Sequence, residues 1–153
     1  MGRTDKATAI AKVTPEKLYE ALSDPDARES WLPPKGMTGL IDAFDLRVGG
    51  GYLMTLTYDD PSGAPGKFSA DQDVTTVTFV DVVPDERIVE SVEFVADDPD
   101  LAGTMTMTWA LRPVPDGTEV TITAEDVPPG ISQADHEVGL QASLAQLIAY
   151  VSS

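Results

Sequence analysis

The sequence predicts an α+β fold: a curved antiparallel sheet of about seven strands wrapped around a long C-terminal helix, with two short helices after the first strand. Three observations lead there. Apolar and polar residues alternate with a period of two from Thr38 to Asp126, interrupted only by Gly-, Pro- and Asp-rich turns. Two helix-start signals, Thr14-Pro15 and Asp24-Pro25, precede that region. A stripe at helical spacing (His136, Leu140, Leu144, Leu147 and Val151, widened by Ile148) closes the chain.

Taken in order, "KATAIAKV" (Lys6 to Val13) reads as the first strand. Thr14 is placed to cap a helix with Pro15 at its first position, and Leu18, Ala21 and Leu22 give the i, i+3, i+4 stripe of a short amphipathic element. "SDPDARESWL" repeats the device with Asp24 as the cap, and Pro33-Pro34 end it. Strands are expected at 38–48, 51–59, 74–83, 87–95, 103–112 and 118–126. Their connections are too short for parallel crossovers, so the pairing is antiparallel. The sharpest strand sets Met105, Met107, Trp109 and Leu111 on one face and Thr104, Thr106 and Thr108 on the other. Ser132 caps the last helix with Asp135 three residues on. At 1.5 Å per residue its run of about 20 residues reaches roughly 30 Å, enough to lie across such a sheet. Gly49, Gly50 and Gly51 read as a tight hairpin turn that needs positive φ, with one glycine spare for a bulge that curls the sheet. A curled sheet cannot lie flush along a straight helix, and a cavity is expected between them.

The bulk composition narrows the function. A chain of 153 residues is the size of one domain, 1–153, and 42% apolar residues suit a globular core. No run of 18 apolar residues offers a membrane span, and no signal-peptide segment is recognisable at the N-terminus, so a cytoplasmic location is expected. Cysteine is absent and His136 is the only histidine, which removes thiol catalysis, zinc–thiolate sites and His-pair metal sites; no metal or cofactor is expected. The net charge of −16 opposes nucleic acid and anionic lipid, both of which are bound through Lys and Arg. The aspartate clusters (Asp59-Asp60, Asp71/Asp73 and Asp97 to Asp100) match no EF-hand spacing and read as solvated surface.

Alternation assigns an inward set: Met54, Leu56, Val77, Phe79, Val92, Phe94, Met105, Met107 and Trp109, joined by Leu140, Leu144 and Leu147 of the helix. Apolar walls with polarizable methionines suit a pocket for a flexible apolar or aromatic molecule, and would equally make an ordinary core. If the hairpin turns on Asp85-Glu86, Val77 opposes Phe94, Phe79 opposes Val92, and Asp81 opposes Glu90 on the same inner face. Two facing carboxylates could work as general acid and base, bind a cation, or hold a ligand hydroxyl; a one-residue slip would turn both outward. His136 is expected as a neutral ring at the pocket mouth, Arg47 as an anchor of the glycine hairpin through a carboxylate, and Trp31 as a plug under the short helices. No Gly-x-Ser-x-Gly elbow or P-loop is present, so hydrolase and nucleotide chemistry have no residues to rest on.

Four stretches in this order, "VTPEKLYEALSDPDARESWLPP", "FDLRVGGGYLMTL", "VDVVPDERIVESVEF" and "HEVGLQASLAQLIAYV", resemble the START-like, helix-grip (SRPBCC) superfamily. Within it they are most similar to the branch named for the activator of the heat-shock protein ninety ATPase. One departure stands out: the branch commonly has Trp after the glycine of the terminal helix, where this chain has Leu140. The resemblance implies the fold and a habitual cavity, with an activity that varies across the superfamily. Three readings follow: a carrier, sensor or sequestering protein for a small apolar or aromatic molecule; a chaperone-cofactor-like module docking a protein with a basic surface; and a polyketide cyclase/dehydratase-like enzyme in which Asp81, Glu90 or His136 handles protons.

Overall fold

The computed structural model describes residues 3–34, 36–59, 72–95, 99 and 103–152. The aspartates at 60, 71, 97, 98 and 100 that the sequence reading assigned to solvated surface lie outside this set. The order of elements is β1 (Arg3–Ala11), α1 (Pro15–Ser23), α2 (Pro25–Trp31), β2 (Met37–Asp42), β3 (Gly51–Tyr58), β4 (Gln72–Val83), β5 (Arg87–Phe94), β6 (Met105–Val114), β7 (Gly117–Val127) and α3 (Gln133–Val151). Among the described residues the strands form one antiparallel sheet in the order β1-β7-β6-β5-β4-β3-β2, against which α3 packs. This is the α+β helix-grip arrangement that the sequence predicts.

The short helices start where their local chemistry says. Thr14 accepts from the Lys17 N–H and Asp24 from the Asp26 N–H, each with proline behind the cap. Leu18, Ala21 and Leu22 of α1 and Ala27 and Trp31 of α2 are buried. Trp31 closes the core beneath them, its Nε1 donating to the Ala21 carbonyl at 2.9 Å. On α3, Leu140, Leu144, Leu147 and Val151 make the buried stripe. Gln146 ties that helix to the end of α2 by donating to the carbonyls of Trp31 and Pro33.

Two expectations are corrected. Strand β2 ends at Asp42 rather than at 48, and residues 43–50 form a loop, not a tight hairpin. Of the three glycines only Gly49 takes positive φ, at 86°. Gly51 is required by proximity: a Cβ there would stand 2.0 Å from the Val77 carbonyl oxygen. The glycines press the loop onto β4, with Gly49 N–H donating to Phe79 O and Phe79 N–H to Gly50 O.

The second correction is the β4–β5 register. The turn spans Pro84, Asp85 and Glu86 with Asp85 at φ 65°, so Val83 pairs with Arg87. A bulge between Phe79 and Asp81 then shifts the pairing again, setting Val77 opposite Val92 and Phe79 opposite Glu90. The expected pairs Val77–Phe94, Phe79–Val92 and Asp81–Glu90 do not form. The bulge also reverses the side-chain alternation: Phe79 and Val82 pack on the core, while Asp81 turns outward.

Candidate functional site

Between the inner face of β3–β6 and the first half of α3 lies a cavity of about 270 Å³. Strand β3 contributes Tyr52, Met54 and Leu56; β4 Thr75 and Val77; β5 Glu90, Val92 and Phe94; β6 Met105, Met107 and Trp109. Leu32 and Pro34 enter from the end of α2, and His136, Gly139, Leu140 and Ser143 from α3. Nine members of the inward set line this space. Phe79, Leu144 and Leu147 do not: they are fully packed in the solid core. Phe79 packs instead against the rings of Phe44 and Tyr52.

One side of the cavity is built on a buried charge pair. Arg28 of α2 has no exposed side-chain surface and Glu90 keeps only 3%, with Nη2 and Oε1 2.7 Å apart. Arg28 is held from its other sides: Nε donates to the Leu22 carbonyl and Nη1 to the Tyr52 hydroxyl at 2.9 Å. Its guanidinium also lies 5.4 Å from the Tyr52 ring centroid and 6.0 Å from those of Phe44 and Phe79. Burial alone would favour a neutral Arg28, but the Glu90 charge and the bonds to Glu90 and Tyr52 outweigh it and keep the guanidinium firmly charged. Burial, and then the Glu90 charge, push the Tyr52 phenol well above its ordinary value despite the opposing pull of Arg28, so it stays neutral. Trp109, 2% exposed, packs edge-on against Trp31 with centroids 5.4 Å apart. Its Nε1 is buried and has no acceptor among the described residues.

At the N-terminal end of α3, His136 Nδ1 lies 2.7 Å from Asp5 Oδ2, and Arg3 forks onto the same carboxylate. Burial raises the Asp5 carboxyl, but the bonds from Arg3 and His136 more than offset this and hold it below its usual value. The ring thus fastens α3 to β1 at the edge of the cavity.

Of the three residues singled out for proton chemistry, Glu90 and His136 line the cavity and Asp81 does not. Asp81 is exposed and pairs with Arg87 at 2.8 Å. Arg47 does contact a carboxylate, Asp45 at 2.7 Å, but both side chains are solvated and the pair is local to the loop. Sequence reasoning missed Arg28. It stands three residues before Trp31 on the buried face of α2, but that position becomes informative only with its partner Glu90 on β5. Among the described residues no group of His, Asp and Glu is arranged to hold a metal ion, and no helix is long and apolar enough to cross a membrane.

Fold and cavity together define a START-like, helix-grip protein. The model of the family described as "Activator of Hsp90 ATPase homolog 1-like protein" matches residues 12–152, and the chain belongs to that family. Among solved structures it is similar to protein CV1439 from Chromobacterium violaceum, at 32% identity and TM-score 0.85, covering 98% of this chain and 97% of that one. The Mll3558 protein from Rhizobium loti is similar at 25% identity and TM-score 0.73, with 98% and 97% covered. An AHSA1-like protein from Aeromonas hydrophila shares the fold at 21% identity and TM-score 0.75, covering 98% and 92%. No curated protein matches the chain.

Proposed function

We propose that the protein binds a small apolar or aromatic molecule between the sheet and the first half of α3, acting as a carrier, sensor or sequestering protein without a cofactor. The observation that carries this reading is the apolar cavity itself, about 270 Å³, walled by Met54, Val77, Val92, Met105 and Trp109 of the sheet and by Leu140 of α3. A concave, mostly apolar site with a few polar groups at its wall is the usual form of a small-molecule pocket. Leu140 lines the space at the position where the resembling branch commonly carries Trp, which supports a gap left open by residue choice.

The enzymatic reading is weakened because Asp81 faces away and the acid–base pair is not assembled. What remains is Glu90, already compensated by Arg28, and His136, engaged by Asp5. The family match favours a second reading, a chaperone-cofactor-like interaction through the outer surface. With a net charge of −16, the partner would need a basic patch and the complex would weaken steeply with salt.

The deciding experiment is gentle native mass spectrometry of the purified protein, with organic extraction of whatever is released. A stoichiometric small molecule is the expected result. A protein that flies empty, with no thermal shift from a panel of apolar and aromatic compounds, would move the interaction reading to the front.

A further inference from the structure

The α3 side of the cavity carries a polar atom that the fold leaves open. His136 Nδ1 is taken by Asp5 Oδ2 at 2.7 Å, and Asp5, with no exposed side-chain surface, is itself gripped by Arg3. The other ring nitrogen, Nε2, makes no hydrogen bond among the described residues, and with the side chain 14% exposed it is not sealed away. In a neutral ring the proton sits on Nδ1, where the Asp5 carboxylate accepts it, so Nε2 is a bare acceptor. Its setting is the mouth of the cavity. His136, Gly139, Leu140 and Ser143 line the space from one face of α3, at the spacings of 3, 4 and 7 residues that place helical side chains one above the other. Gly139 is exposed, and a Cβ there would meet no atom within 4 Å. Neither a close approach nor a positive φ calls for glycine in mid-helix, where it weakens the helix. What its missing side chain leaves is an opening beside His136.

Resting on the reading of this cavity as a ligand site, we propose that its ligand is a neutral hydroxyl compound whose apolar body lies in the cavity and whose O–H, at the α3 mouth, donates to His136 Nε2. The acceptor selects against the alternatives. An ether, ketone or ester sets a lone pair against the lone pair of Nε2. A carboxylate does the same with a full charge, in a chain of net charge −16. An ammonium group gives up its hydration for a single acceptor. A hydroxyl donates to Nε2 and keeps its own oxygen toward solvent. The ring needs no reorganisation to receive it, because Asp5 and Arg3 already hold it in place. The cavity volume, about 270 Å³, lies just under the roughly 300–1,000 Å³ of drug-sized pockets, which points to a single ring with a short substituent. Met54, Met105 and Met107 favour an aromatic ring through sulfur–ring contacts.

The test uses 4-propylphenol and 1-fluoro-4-propylbenzene, which match closely in size and differ in the donor. Each is titrated into the 15N-labelled protein at about pH 8, above the ordinary titration of imidazole. His136 is the only histidine, so the imidazole nitrogens in long-range 1H–15N spectra belong to it without further assignment. The expected result is that the phenol binds about threefold or more tightly than the fluoro compound and moves the Nε2 resonance upfield, which the fluoro compound does not. In His136→Phe, which keeps an aromatic ring and removes the acceptor, the two compounds should bind equally. A smaller advantage in the wild-type protein, an Nε2 resonance that the bound phenol leaves in place, or an advantage that survives in His136→Phe would overturn the His136 assignment. Each of these leaves the cavity reading standing as long as either compound binds. Binding of neither would overturn both. The wild-type comparison decides even if the variant folds poorly.

Discussion

Replacing Arg28 by methionine removes the positive half of the buried pair while keeping most of the volume of the side-chain stem. Arg28 has no exposed side-chain surface and Glu90 keeps 3%, so the carboxyl group would be left buried and without a cation. Losing one partner of such a pair costs about 3–5 kcal/mol, and the Leu22 carbonyl and Tyr52 hydroxyl lose their donor as well. Against a typical total of about 5–15 kcal/mol, roughly 4 kcal/mol is a large fraction. Urea denaturation with far-ultraviolet circular dichroism measures it; with an m-value near 2 kcal/mol per molar, the midpoint should fall by about 2 M. The double variant Arg28→Met/Glu90→Leu removes both charges and should recover most of the loss, because apolar groups of similar size replace buried ion pairs at little cost. A single variant that loses less than about 1 kcal/mol, or a double variant as unstable as the sum of the two singles, would refute the reasoning. Either result would mean that water reaches the pair and that the cavity wall is wet.

Leu140→Trp fills the cavity with a ring from α3 and should abolish small-molecule binding with little loss of stability, measured as thermal shift with the panel of apolar and aromatic compounds; retained binding would place the ligand elsewhere. Gly51→Ala places a Cβ 2.0 Å from the Val77 carbonyl oxygen, whereas Gly49→Ala meets open space and costs only about 1–2 kcal/mol for its positive φ; thermal melts should rank Gly51→Ala as the more damaging. Asp5 has its folded carboxyl held below its ordinary 3.8, since the bonds from Arg3 and His136 outweigh the upward push of burial. It therefore contributes stability that is complete above about pH 4 and is lost as pH falls through the depressed folded value. Asp5→Asn should flatten the acid limb of the stability–pH curve below that point, and a limb of unchanged slope would show that Asp5 does not carry it.

What could be read from the sequence was information that is local or periodic. Thr14 and Asp24 announce the helix starts because a cap acts on N–H groups two or three residues away. Met54, Val92, Met105 and Trp109 could be placed inward because a strand repeats every two residues, and the α3 stripe because a helix repeats every 3.6. Register was not legible, because it depends on how one strand counts against another. The bulge at Val80 has no residue of its own to advertise it, valine being an ordinary strand former, and the left-handed Asp85 lengthens the turn from two residues to three. Arg28 was opaque for a related reason: a cation on a buried helix face is informative only once its distant partner is known. These two gaps decide the chemistry. In the expected register Glu90 faced a second carboxylate, the arrangement of an acid–base dyad. In the observed one it stands opposite Phe79 on β4 and Met107 on β6, with Arg28 neutralising it and the Trp109 donor one diagonal away. The same glutamate, moved by two residues of register, thus turns from half of an acid–base dyad into half of a buried ion pair that builds one wall of the cavity.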